Sequence, residues 1–593
     1  MKTVNKKAIS IAFIQIYQFS KLFFYSTIIL KILEIIKFFS FAYISKKLID
    51  QISFSILNKD EKATIDSIKY IVFVTLIAII FVFTEKLLMY FTAKAHITLV
   101  VRSRAYINKK IAMMDISVFD SPECNDQLKQ AIRDFGGVEA LFLNYCNIFF
   151  SFLSLIISFT IVFLLQYIVA FFVIISVIPS FFLIKRLKKK NYILEKELNT
   201  TDRRIDYYSH IFGSKQYAKE MRFYNLKDFF SKKYENISSY KKKKKSKFLF
   251  LTMINECSLS FIQNIFKLFV YIFVFLKVLK ENLTIGEFTY IGTIILNLSQ
   301  ATNSFLTSIN DIIINSQKVK NFYLFFEQDY SLKLLNKSNM QNALKIKSLR
   351  FENVSFVYPN SEKYVLKNLN FEIKNNEKVA FAGVNGAGKS TIIKLILRLY
   401  KPTSGAIYLN EVNIEEIDIT EYRAIFSSMF QEYTQYSLSV FDNIRIYDIN
   451  AKIDINRAIK ALKCASLNDD LNLTSLLKEV TKSFSEDGVV YSVGQLQKLN
   501  FARTLYRQTD IYIFDEPSAS LDPFSEEHIF REILKNLQDR TVILISHRLG
   551  NLKNFDKIIF LNNGEISEIG SHFGLIKKKG EYYRMYMTQF NQY

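Results

Sequence analysis

A membrane-embedded bundle of six long helices followed by a separate α/β domain is the architecture this sequence predicts, and three observations predict it. Apolar runs long enough to cross a bilayer fill the first half of the chain, alternating with lysine-rich stretches. Polarity rises after Asn315, and from residue 346 strand and helix patterns alternate to the C-terminus. Within that second part an apolar strand runs into a glycine-rich loop ending in Gly-Lys-Ser. Half of the 593 residues are hydrophobic while the formal charge is +23. That mixture is unusual for one soluble enzyme, and the segregation along the chain explains it.

Roughly 20 apolar residues cross a bilayer core as a helix, which places spans at 22–44, 68–91, 141–165, 166–184, 248–276 and 288–314. The sixth is interrupted by Asn297, Gln300, Asn303 and Asn310. The first is too long for a signal peptide and no small-residue cleavage site follows it. Orientation follows from the basic residues. "KRLKKK" (185–190) closes the fourth span and "KKKKKSK" (241–247) opens the fifth. Arg102, Arg104, Lys109 and Lys110 follow the second, and Lys2, Lys6 and Lys7 precede the first. All read as cytoplasmic, so both termini are expected inside. The same placement beside apolar runs argues for membrane flanks and against nucleic-acid binding. Spans three and four leave room only for a tight outer turn. The loops after spans two and four are charged, rich in helix formers and nearly free of proline, so they should continue the membrane helices into the cytoplasm.

The domains therefore read as a transmembrane domain at 1–320, a linker at 321–345 containing "NKSNMQNAL", and a nucleotide-binding domain at 346–593. The four cysteines are scattered without metal-ligand spacing or disulfide density.

The chemistry lies in the last part. "GVNGAGKS", Gly383 to Ser390, matches G-x-x-x-x-G-K-[ST] between a strand and a helix, the setting that makes it a phosphate-binding loop. Gly383, Gly386 and Gly388 let backbone N–H groups close around phosphates, with Asn385 and Thr391 in the same turn. Lys389 is expected on the β- and γ-phosphates and the Ser390 hydroxyl on Mg²⁺, so the predicted ligands are ATP and Mg²⁺. "IYIFDE" is a buried strand ending in two acids. Asp515 is placed to hold Mg²⁺ and Glu516 to orient and deprotonate water. His547 follows another buried strand, "VILIS", and is placed to contact the γ-phosphate.

In this order the motifs resemble those of the ATP-binding cassette (ABC) transporters, and the resemblance covers nearly the whole chain. It implies that Tyr358 in "FVYP" stacks on adenine, and that Gln431 in "MFQEY" joins the Mg²⁺ site in a loop linking nucleotide state to the membrane domain. It also implies that Asp522 in "SASLD" lies in a loop across a dimer interface. Six spans ahead of one cassette look like a half-size exporter, with coupling helices near 118–126 and 212–218. In that family the sequence L-S-G-G-Q presses onto ATP held by a partner subunit; here it reads "YSVGQ". Ser492, Gly494 and Gln495 are kept, while Val493 replaces a glycine. A β-branched residue fits poorly if φ must be positive and is tolerated in an αR backbone.

The partner is then a second transporter subunit. Because every hydrolytic residue is retained, a homodimer with attenuated turnover is favoured over a heterodimer with one degenerate site. A channel-like or regulatory protein that binds ATP with little turnover is the contrasting reading; Val493 speaks for it and Glu516 against. Export across a bacterial cytoplasmic membrane is the expected direction. "KEMRFYNLKDFF", "VFDSPECND" and "SSMFQEYTQYSLSVFDNI" look similar to exporters of lantibiotic and bacteriocin peptides. No cysteine precedes Cys124, so leader removal is expected of another protein. A lipid or hydrophobic drug is the alternative cargo. Glu34, Glu85 and Glu256 lie in or near apolar runs, where a charge faces the bundle interior or pairs with a nearby lysine.

Overall fold

The computed structural model describes residues 2–58, 61–280, 283–327, 346–359, 361–432, 434–449, 452–467, 473–518 and 521–590. The chain divides into two compact units, residues 1–112 with 126–329 and residues 113–125 with 330–593.

The first unit is all helix: α1 (Lys2–Phe19), α2 (Lys21–Asn58), α3 (Glu61–Ala112), α6 (Gly136–Leu165), α7 (Tyr167–Gly213), α8 (Ala218–Phe223), α9 (Lys227–Leu279) and α10 (Ile285–Glu327). Between α3 and α6 the chain forms the short α4 (Ser117–Asp120) and α5 (Pro122–Asp134). The break between α1 and α2 falls at Ser20, whose hydroxyl accepts the Phe23 N–H at 3.3 Å as a local cap. The turn between α6 and α7 is the single extended residue Gln166. In the stretch 212–218, α7 ends at Gly213, residues 214–217 form the turn and the short α8 begins at Ala218. Helix α10 runs seven residues past 320, because "NFYLFFE" keeps an apolar face with Phe322 and Phe325 buried. From 328 onward the segment read as a linker lies outside the described residues.

Three helical stretches, Ile65–Ala112, Glu123–Leu165 and Lys227–Leu279, are by length and composition apolar enough to cross a membrane among the described residues. Helices holding other expected spans differ for visible reasons. Helix α2 carries Lys31, Glu34 and Lys37, and α10 carries its amides. Helices α6 and α10 approach closely: a Cβ on Gly137 would stand 2.8 Å from the Lys318 Cβ. Phe142, Leu141 and Val319 are buried at one end of the bundle, and Val162, Ile291 and Ile294 at the other.

The polar residues of α10 have a common destination. Asn297, Gln300, Ser304, Ser308 and Asp311 line a cavity of about 460 Å³ together with Asn144, Asn147 and Ser154 of α6 and the Lys31–Glu34 pair of α2. Asn297 Oδ1 accepts the hydroxyls of Ser154 at 2.8 Å and Ser158 at 3.0 Å. Glu85 instead pairs with Lys37, and Glu256 is exposed.

The second unit holds two sheets. An antiparallel one has the order β2 (Tyr364–Lys374), β1 (Ser348–Val357), β4 (Ser404–Leu409), β5 (Val412–Asn413). The other has the order β10 (Glu565–Gly570), β9 (Lys557–Asn562), β3 (Lys378–Gly383), β8 (Thr541–Ile545), β7 (Ile511–Asp515), β6 (Phe426–Met429). It is parallel from β9 to β6. Strands β7 and β8 are buried at every residue, which is why each reads as an unbroken apolar run. Their register sets Asp515 beside Ile545, and β3 runs on the other side of β8. Carboxyl ends of adjacent parallel strands form the crevice where α/β sheets bind ligands. The helices are α11 (Lys389–Ile396), α12 (Ile419–Ala424), α13 (Val440–Arg445), α14 (Ile455–Cys464), α15 (Leu473–Leu477), α16 (Val493–Tyr506), α17 (Pro523–Asn536), α18 (His572–Lys578) and α19 (Glu581–Phe590).

Candidate nucleotide site

Strand β3 ends in Gly383, and the chain then turns through three left-handed glycines, with φ of 145° at Gly383, 79° at Gly386 and 96° at Gly388. Gly383 and Gly388 are backed by neighbours: a Cβ would meet the Leu561 carbonyl at 2.1 Å or Leu366 Cδ2 at 2.5 Å. At Gly386 a Cβ would meet nothing within 4 Å, so the loop's free side opens into a cleft of about 850 Å³. Asn385, Lys389, Ser390, Thr391, Gln431, Glu516 and His547 line that cleft.

Lys389 is buried and folded back, donating to the carbonyls of Gly383 and Val384 at 2.9 Å each. Burial lowers its pKa, against the nearby charges of Glu516 and Asp515. The Ser390 hydroxyl donates to Asp515 Oδ1 at 3.3 Å. Burial pushes the Asp515 carboxyl up to about 6; the Ser390 bond opposes the rise and the Glu516 charge adds to it.

Glu516 sits one residue beyond the strand in a left-handed backbone, φ 51°. For a non-glycine residue this costs about 1–2 kcal/mol, a strain typical of functional sites. It turns the carboxylate into the cleft, where Oε1 meets His547 Nε2 at 2.6 Å and Oε2 accepts the Gln431 amide at 3.2 Å. The His547 contact holds the Glu516 pKa below the usual range against the effect of burial. Adjacent carboxyl groups are thus pushed in opposite directions.

Other expected site residues stand elsewhere. Tyr358 is not among the cleft-lining residues. Its hydroxyl pairs with Thr391 Oγ1 at 3.0 Å, its ring packs on Phe356 and Tyr400, and Lys394 lies over it. Gln431 engages Glu516 through its amide. Ser492, Gly494 and Gln495, expected on ATP held by a partner subunit, do not line this chain's own cleft. Ser492 caps α16, its Oγ accepting the Gln495 N–H at 3.2 Å while the Gln495 side chain accepts the Ser492 N–H at 2.9 Å. Val493 is the first residue of that helix and 61% exposed, so its backbone is αR and the β-branch is tolerated. Asp522 caps α17 through the Phe524 and Ser525 N–H groups, and the Ser525 side chain first, then these N–H groups, lower its pKa. Residues 519 and 520 of its loop lie outside the described residues.

The sequence motifs missed Met585 and Gln589 of α19, which line the cleft, and Gln497, whose amide donates to the Glu516 carbonyl at 3.3 Å. The residues present fit a magnesium–nucleotide complex. The open left-handed loop offers N–H groups to phosphates, and a hydroxyl beside a carboxyl is a hard oxygen pair to which phosphate oxygens would add.

Residues 366–519 match the ABC transporter model and residues 23–302 the ABC transporter transmembrane region model, so both halves are accounted for by one family. The chain belongs to the ABC transporter family. Its transmembrane and ATP-binding parts are fused in one exporter chain. The transporter is 29% identical over 493 residues to the subtilin transport ATP-binding protein SpaT of Bacillus subtilis, covering 81% of this chain and 78% of that protein. It is 27% identical to the nisin transport ATP-binding protein NisT of Lactococcus lactis subsp. lactis, over 71% and 70%. An ATP-dependent lipid A-core flippase of Nitrosococcus oceani is 35% identical over only 41% of this transporter and 40% of that protein. The fold matches a bacterial Atm1-family ABC exporter with ATP bound, at TM-score 0.80 and 19% identity, covering 95% and 98% of the two chains. The ATP-binding domain implies ATP hydrolysis coupled to transport, and exporters of this type function as dimers.

Proposed function

We propose that this transporter is the subunit of a homodimeric, ATP-driven exporter of peptides in a bacterial cytoplasmic membrane, with both termini on the cytoplasmic side. The observation that carries the hydrolytic part is the convergence of His547 and Gln431 on the two oxygens of Glu516, in the cleft that holds Lys389. Glu516, kept anionic, accepts the proton of the attacking water, and His547 and Gln431 hold its carboxylate in place. Lys389 would exchange its loop carbonyls for phosphate oxygens, and Ser390, with Asp515 once deprotonated, would hold the metal. Mg²⁺ would neutralise charge on the phosphates during transfer. Ser492 and the amino end of α16 are left to serve the partner's nucleotide.

The peptide reading is supported by the likeness to the subtilin and nisin transport proteins over most of each chain, whereas the flippase match spans less than half. The cavity lined by Asn144, Asn147, Asn297 and Gln300 also offers amide donors and acceptors suited to a peptide backbone. The test is uptake into inside-out proteoliposomes containing only this chain. ATP-dependent uptake of a synthetic cationic peptide, abolished by Glu516→Gln, supports the reading. Transport confined to a fluorescent lipid overturns the peptide part, and absence of ATPase activity in the purified chain overturns the homodimer.

A further inference from the structure

The loop that carries His547 is held from the last helix of the chain. Helix α19 is anchored at its start: Tyr582 is wholly buried with its hydroxyl 2.8 Å from His572 Nδ1, and the Glu581 carboxylate accepts from Asn562 and Ser567. Met585 and Gln589, four residues apart and so on one helix face, point from this anchored base to the nucleotide cleft. There the Gln589 amide makes two bonds. Its Nε2 donates to the His547 carbonyl at 2.6 Å, and its Oε1 accepts the Leu549 N–H at 3.0 Å. A single planar group thus fixes the backbone on both sides of Arg548. The Arg548 side chain is tied separately to Glu526. With that backbone fixed, the His547 imidazole reaches Glu516 at 2.6 Å.

We propose that Gln589 is a positioning residue for hydrolysis: it sets the loop that presents His547 to Glu516, so turnover depends on the docking of α19. The inference rests on the ATPase reading above. A 1 Å misplacement at an active site costs up to about a hundredfold. The two bonds also have a chemical polarity that a packing contact lacks, since the amide donates to His547 and accepts from Leu549, which an apolar side chain cannot do.

The experiment is a double-mutant cycle on the full-length chain in proteoliposomes with Mg·ATP. Gln589→Ala is expected to lower kcat between about tenfold and about a hundredfold, with KM for ATP within about twofold, a change smaller than 1 kcal/mol. In a His547→Ala background the same substitution should have no further effect, because Gln589 acts through His547. Gln589→Glu keeps the acceptor for Leu549 and sets a carboxylate against the His547 carbonyl; it should lose turnover too, and it serves if the alanine variant misfolds. Equal losses in both backgrounds, a rise in KM alone, or wild-type turnover in Gln589→Glu would overturn the proposal. A wild-type chain without ATPase activity would instead sink the underlying reading, so the two failures are distinguishable.

Discussion

Glu516 Oε1 stands 2.6 Å from His547 Nε2 while its Oε2 receives the Gln431 amide at 3.2 Å. Residues that follow β8 and β6 therefore grip one anion that follows β7. Glu516→Gln preserves the shape but removes the base, and turnover is expected to fall by about 10²–10⁴ with Mg·ATP still retained on the protein. Parallel ATPase and nucleotide-retention measurements check this. Turnover within about tenfold of wild type would assign the proton to another group.

The raised pKa of Asp515, about 6, gives a pH dependence whose sign is fixed. Between its ordinary value near 4 and about 6, the folded chain holds a proton that the unfolded chain has released. Stability without nucleotide therefore declines as pH rises through that window. Affinity for Mg·ATP should do the opposite, rising to about pH 6 and then levelling, because metal and proton compete for one carboxylate. Thermal melts of wild type and Asp515→Asn across pH 4.5–7 read this out; the decline should vanish in the variant.

Val493 occupies a helical, exposed position at the start of α16. Val493→Gly should therefore change kcat less than about threefold, well under 1 kcal/mol, and cost only a few tenths of a kcal/mol in stability. A gain above tenfold in steady-state ATPase would mean that the isopropyl group obstructs the approach of a second subunit.

Buried Glu526 accepts from Ser518 at 2.9 Å and Asn551 at 2.7 Å and pairs with Arg548. It joins the segment after the acid pair to the His547 loop. Glu526→Ala strips three partners at once; since Arg548 is half-exposed and can rehydrate, the expected loss is about 1–3 kcal/mol. Glu526→Gln should lose less. Calorimetry on the intact chain, with hydrogen exchange at residues 546–554, separates a local from a global effect.

What was legible in the sequence tracks how local the signal is. The left-handed glycines, Lys389, Ser390 and the acids at the end of β7 declare themselves through spacing within one strand–loop–helix or one strand. The 52-residue α3 and 53-residue α9 were legible as continued helices because no proline interrupts the charged extensions. Gln589 was not, because a glutamine four residues after a methionine reads as any surface residue until the fold brings it to His547. Side-chain states were hidden only in part. Nothing in "GAGKS" says that Lys389 folds onto its own loop, whereas "SVGQ" does carry the S-x-x-Q pattern of the capping box that Ser492 and Gln495 form. The amides of α10, which look like interruptions of a span, make sense once α6 supplies the facing serines and asparagines.

Residues 113–125 are counted with the ATP-binding unit, although more than two hundred positions separate them from the rest of it in the sequence. Ile116 packs on the same apolar cluster as Phe381 and Tyr422, and Asp115 acts electrostatically on Arg423. An isolated fragment beginning at residue 346 would consequently be missing a plug. A synthetic peptide spanning 113–125 should complement that fragment in trans, raising its melting temperature, whereas a version with Ile116 replaced by aspartate should not.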